Sequence, residues 1–119
     1  MTEIIFKSIR VCSKKNNPKL IRRGKVTFRL PSDAYENFKS LMAEHLYPFK
    51  GEITKPFKME VWYSIKGKYP QDIDNACTSI LDILQDYGVI KNDSMCQEIH
   101  GYKTGGHKDW MCMIRIEEI

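Results

Sequence analysis

From Phe57 to Ile65 the chain alternates without a break: Phe57, Met59, Val61, Tyr63 and Ile65 fall on one side, and Lys58, Glu60, Trp62 and Ser64 on the other. Successive side chains of a strand point to opposite faces, so this pattern demands a sheet with one buried and one outward face. The period then changes. Ile73, Cys77, Ile80, Leu84 and Tyr87 recur at helical spacing, with Asn75, Thr78, Ser79, Asp82, Gln85 and Asp86 opposite, and Gly88 follows in the C-cap role. The spacing predicts a helix over about residues 74–87, one face of which packs while the other looks outward.

The remaining elements fall around this pair. Residues 3–11, EIIFKSIRV, fit a first strand. The polar stretch that follows carries the turn formers Asn16, Asn17, Pro18 and Gly24, and is expected to be a mobile basic loop with Val26–Arg29 as a short extended piece after it. Pro31, Ser32 and Asp33 precede a first helix whose Tyr35, Phe38, Leu41, Met42 and Leu46 should face inward. Residues 95–103 and 110–117 read as a closing pair of strands joined by the glycine loop TGGHKD. The order β, loop, α, β, α, β, β describes an α+β fold, a small mixed β-sheet packed with two α-helices. With 119 residues and no linker between apolar segments, residues 1–119 should form a single domain.

No apolar run approaches the length of a membrane span, and the amino terminus has no signal-like core, so a cytoplasmic protein without membrane partners is expected. The cysteines Cys12, Cys77, Cys96 and Cys112 include no Cys-x-x-Cys pair and suit small apolar residues. Cys96, His100, His107 and Cys112 are too loosely spaced for a convincing zinc site.

Net charge is +4, but its distribution matters more. From Ile4 to Ser32 there is no acidic residue, while Lys7, Arg10, Lys14, Lys15, Lys19, Arg22, Arg23, Lys25 and Arg29 crowd the same stretch. Such one-signed segregation suits a polyanion, nucleic acid first, because phosphate contacts by Lys and Arg release counterions. A merely solvated surface is the alternative.

Acid gathers elsewhere. Asp72 and Asp74 stand two residues apart at the entry of the second helix, where both carboxylates can meet at one point, and Asp93 follows that helix. Two carboxylates so close repel and invite a hard divalent cation. A next strand lying beside the first would bring Asp93 to the same ion, and magnesium held by a few carboxylates serves phosphodiester chemistry. The structural alternative gives Asp74 the N-cap, Asp72 the helix dipole and Asp93 a turn.

The segment DIDNACTSILDIL, then YGVIKNDSM, then Lys103, resembles the signature of the RusA-type Holliday-junction resolvases: D-x-D-N, a helix carrying D-x-L, a small hinge, an acid-rich turn and a downstream lysine. NNPKLIRRGKVTF is similar to that family's basic entry loop, and DAYENFK to the start of its first helix. The resemblance implies a homodimeric endodeoxyribonuclease that uses Mg²⁺, with Mn²⁺ able to substitute, to nick four-way junctions symmetrically in DNA recombination and repair. It implies Asp72, Asp74 and Asp93 as metal ligands and catalytic groups beside Lys103, supported by Asn75 and Asn92. Lys14, Lys15, Asn16, Asn17, Lys19, Arg22, Arg23 and Lys25 would hold branched DNA. Such proteins often belong to phages and prophages and would work at the nucleoid of a bacterial or phage-infected cell. Two positions depart from the pattern: Asn92 replaces a second turn aspartate, and Thr78 stands where the best-known member has a lysine. A branched-DNA binder without cleavage, or a nuclease for flaps or forks, are the alternatives these departures leave.

Overall fold

The computed structural model describes residues 1–13, 19–30 and 32–119, and for Lys19, Phe28 and Arg29 the backbone alone. Its elements are β1 (Thr2–Lys7), β2 (Lys19–Arg23), β3 (Val26–Leu30), α1 (Asp33–Leu46), β4 (Phe57–Lys66), α2 (Ile73–Asp86), β5 (Cys96–His107) and β6 (Met111–Glu118). Single 3-10 turns follow α1 at Tyr47–Phe49 and precede β5 at Asp93–Met95.

Four strands form a mixed sheet in the order β1-β6-β4-β5, so the α+β architecture read from the sequence holds. β6 runs antiparallel to both β1 and β4, while β4 and β5 are parallel. A parallel pair needs a crossover, and α2 is that crossover. The five inward residues of β4 are all buried, together with Ile4 and Phe6 of β1 and Cys112, Ile114 and Ile116 of β6. α1 adds Tyr35, Phe38, Met42 and Leu46, α2 adds Ile80, Ile83 and Leu84, and these buried side chains form one cluster. Each large side chain so buried contributes about 1.5–3 kcal/mol. The outward face of β4 is quite different. There Trp62 stacks on Tyr102 of β5 at 5.5 Å, and the Arg115 guanidinium of β6 lies 5.3 Å from the Trp62 ring centre.

Caps and cross-links fix the helices. Ser32 Oγ accepts from the Tyr35 N–H at 3.2 Å as the N-cap of α1. Gly88, at φ +72, ends α2: its N–H reaches Gln85 O at 3.0 Å and the Val89 N–H reaches Leu84 O at 2.9 Å, the paired bonds of a Schellman motif. The Tyr35 hydroxyl donates to Asp86 Oδ2 at 3.2 Å, and the Tyr87 hydroxyl to Lys39 O at 2.6 Å, which ties the two helices together.

The chain departs from the sequence reading in four places. β1 stops at Lys7 because Ser8 takes a left-handed conformation, φ +61, with its N–H on Trp110 O at 2.9 Å; Ile9 and Val11 stay buried outside the strand. Lys19–Arg23 of the expected loop form a strand, β2, which pairs with β3, the extended piece read at Val26–Arg29, in a β-hairpin closed by Gly24 and Lys25. Gly24, at φ +62, is the first central residue, where type II′ turns place glycine. The closing strands do not pair with each other: β5 extends through the glycines to His107, and β4 lies between it and β6. Leu41 is 44% exposed, whereas Ser79, expected outside, is 2% exposed with its hydroxyl donating to Asn75 O. All four cysteines are free; Cys77 and Cys112 are buried, Cys12 and Cys96 half-buried. No helix among the described residues is long and apolar enough to cross a membrane.

Candidate active site

The segment between β4 and α2 is pinned before it reaches the carboxylates. Gln71 donates from Nε2 to Val11 O at 2.6 Å and accepts at Oε1 from the Tyr63 hydroxyl at 3.0 Å. That hydroxyl in turn accepts the Val11 N–H at 2.8 Å. Burial holds the Tyr63 phenol well above its ordinary pKa, so the neutral hydroxyl persists as donor and acceptor together. The central strand therefore fixes the residue directly before Asp72.

Asp72 is the N-cap residue of α2 by backbone conformation, φ −80° and ψ 133°, yet its side chain caps nothing. The carboxylate is exposed and accepts instead from Asn75 Nδ2 at 3.3 Å. Asp74 lies in the first turn, also exposed, and its carboxylate takes no hydrogen bond or ion pair from the described residues. Lys103 of β5 donates from Nζ to Gln71 O at 2.8 Å, which sets an ammonium group on the residue directly before Asp72. Thr78 bonds its own helix, Oγ1 to Asp74 O at 3.0 Å. Burial first, and then nearness to Asp74, push the Cys77 thiol up to about 11.

α2 lies close on β5 because Gly101 has no side chain. A Cβ there would stand 2.7 Å from Ile73 Cγ1 and 3.0 Å from Cys77 Sγ. Ile73 separates the two aspartates in sequence, so the packing at Gly101 sets their height above the sheet.

Asp93 stands elsewhere. It opens the 3-10 turn before β5, at the far end of α2, where its N–H donates to Gln85 Oε1 at 2.8 Å. β5 begins opposite the start of β4, Cys96 against Phe57, so the return of the chain carries Asp93 to the opposite end of the sheet from Asp72. Fourteen helical residues span about 21 Å. Asp93 therefore does not join Asp72 and Asp74 within the chain, and no group of three or more His, Cys, Asp or Glu poised for a metal occurs among the described residues. The parallel register explains this: a crossover helix separates its two ends by its own length. Asn92 Oδ1 accepts from the Ser94 N–H at 2.9 Å and caps that turn.

Of the basic residues, Arg22, Arg23 and Lys25 are exposed on the hairpin, with Arg22 Nε donating to Gly24 O at 3.1 Å. The Lys19 side chain and all of Lys14, Lys15, Asn16 and Asn17 lie outside what is described. The segment leaves the body at Ser13 and rejoins it at Ser32, and both residues line a cavity of about 370 Å³ together with Asp72 and Asn75. The basic arm is thus rooted at the Asp72 end of the sheet.

Three features at this end are missing from the sequence reading. They are the Gln71 brace, the buried Ser79 on the cavity wall, and a stack in which the Arg10 guanidinium lies 4.1 Å over the Tyr69 ring while Tyr69 meets Trp110 edge-on at 5.5 Å. Arg10 was visible only as one more charge in an acid-free run, and nothing local marks its aromatic partner.

No curated protein matches the chain. The family described as Endodeoxyribonuclease RusA matches residues 11–117, which takes in the basic arm, both helices and all three aspartates. This chain belongs to the RusA endodeoxyribonuclease family.

Proposed function

We propose that this protein is a Mg²⁺-dependent endonuclease that nicks four-way DNA junctions symmetrically as a homodimer. The observation that carries the reading is the pair of exposed carboxylates at the start of α2, uncommitted to capping and set at the root of the basic arm. Family membership supports action on branched DNA.

The donor set fits the metal. Magnesium sites commonly use one or two carboxylates, with water and substrate phosphate completing the shell, and Asp72 and Asp74 are hard oxygen donors open to solvent. A bound Mg²⁺, or Mn²⁺ in its place, would lower the pKa of water and neutralise the scissile phosphate. Asn75 steadies Asp72, and the Lys103 ammonium adds positive charge where the phosphate approaches, a task Thr78 cannot perform. Arg22, Arg23 and Lys25, with Lys14, Lys15 and Lys19, hold the junction arms through their phosphates, and Asn16 and Asn17 sit in the same arm.

Asp93 enters through symmetry. A twofold axis beside the middle of α2 and β5 would place the partner subunit's Asp93 near Asp72 and Asp74, and would repeat the site for the opposed strand. β5 offers a surface there, since from Gln97 to His107 every residue is exposed and one edge is unpaired in the protomer.

Subunit mixing tests this. Asp72→Asn and Asp93→Asn homodimers should each fail to nick a synthetic junction in Mg²⁺. Their mixture should regain nicking, because one of the two shared sites in a mixed dimer is intact. A mixture that stays inactive removes the shared site. Wild-type protein that cuts no branched DNA removes the nuclease reading.

A further inference from the structure

The cavity beside Asp72 is larger than a metal site needs. At about 370 Å³ it falls within the range of about 300–1,000 Å³ typical of pockets for small organic groups. Tyr69 and Arg10 both line it, with the Arg10 guanidinium carbon 4.1 Å over the Tyr69 ring centre, and both are open to solvent. Two buried serines also line it: Ser32, 9% exposed, accepts from the Tyr35 N–H, and Ser79, 2% exposed, donates to Asn75 O. A hydroxyl offers one donor and two lone pairs, so Ser32 keeps a donor and Ser79 keeps an acceptor for a guest. An aromatic ring and a guanidinium lining the same cavity as a buried donor and acceptor are the chemistry that recognises a nucleobase.

We propose that this cavity receives one base turned out of the branched substrate beside the scissile phosphate, stacked against Tyr69 and Arg10 with its edge toward Ser32 and Ser79. The proposal rests on the junction-endonuclease reading. A phosphate held at Asp72 leaves the adjoining nucleotide at the cavity mouth, and a base at a branch point costs less to unstack than one inside a continuous duplex.

The test measures binding without cleavage, with Ca²⁺ in place of Mg²⁺, for junctions carrying a single abasic nucleotide at each position around the crossover in turn. Stacking on an aromatic side chain is lost with either partner, so Tyr69→Ala should weaken binding to the intact junction about tenfold. It should cause no further loss on the junction whose abasic site falls at the cavity. Tyr69→Phe keeps the ring and should bind like wild type, which separates lost stacking from lost folding. If Tyr69→Ala weakens every abasic junction as much as the intact one, or weakens none, the base pocket is refuted while the nuclease reading stands. If the wild-type protein prefers no branched DNA over duplex, both fall together.

Discussion

Replacing Gly101 with alanine should move the aspartate-bearing end of α2. The new Cβ would lie 2.7 Å from Ile73 Cγ1 and 3.0 Å from Cys77 Sγ, against an ordinary carbon contact of about 3.5–4.0 Å. Neither atom belongs to the loose end of a long side chain, so the first turn of α2 must rise by roughly 1 Å. Overpacking of this kind costs about 1–3 kcal/mol. Relief of the glycine's own cost within a strand returns about 0.5–1 kcal/mol, which leaves a net loss of about 0–2.5 kcal/mol. Activity should suffer more than stability. A shift of about 1 Å in positioned groups can lower a rate about 100-fold, and Asp72 and Asp74 flank the displaced Ile73. Urea denaturation would give the first quantity and junction nicking in Mg²⁺ the second. On an Ile73→Ala background the same substitution should cost clearly less stability, because the closest obstacle is gone and only Cys77 Sγ at 3.0 Å remains. Equal destabilisation in both backgrounds, or full activity in the single variant, would refute the argument that Gly101 sets the height of the aspartates.

Tyr63→Phe should cost about 1–3 kcal/mol in urea denaturation, since it strips a buried bond from the Val11 N–H and frees Gln71, and nicking should fall with it. Neutralising Arg22 and Arg23 together should reduce the slope of log affinity against log salt by up to about 2 on any branched DNA; an unchanged slope would mark the hairpin as a bystander. Iodoacetamide mapped by mass spectrometry should label Cys12 and Cys96 before Cys77 and Cys112, because burial raises the latter pair more. Cys77 binds its proton more tightly folded than unfolded. Its contribution is therefore intact below the ordinary thiol pKa of 9.0 and is lost as pH rises through about 11, so the melting temperature should fall across that window.

Burial decided what could be read in advance. β4 was legible because one face is fully buried and the other is not, and α2 because its apolar stripe meets the sheet. The hairpin had no such imprint: Leu20 and Val26 are more than half exposed, so no inward face shaped the pattern, and Gly24 looked like any loop glycine. β5 was cut short for the same reason, since it is solvent-facing almost throughout and ends in glycines. That Asp72 and Asp74 stand together at the start of α2 could be read from spacing alone. The position of Asp93 could not, because it depends on β5 being parallel to β4, a long-range choice with no local signal. Ser79 was placed outside by its polarity, whereas its hydroxyl satisfies a carbonyl of its own helix and can be buried without penalty.

The order of the sheet also bears on how the molecule assembles. β6, the last strand of the chain, sits between β1, the first, and β4, with Thr2 opposite Ile116. Until β6 is in place, β1 and β4 each lack a neighbour, and the apolar row Phe57, Met59, Val61, Tyr63, Ile65 has an open flank. Closing pairs so far apart in sequence is slow, and the waiting strands present free edges to other chains. During synthesis β4, α2 and β5 can associate early, but the brace from Tyr63 to Val11 needs the first strand docked, and that strand docks only on the last. Shaping of the carboxylate end is thereby deferred to the final step of folding, so a chain arrested before β6 would carry its basic arm without a finished site.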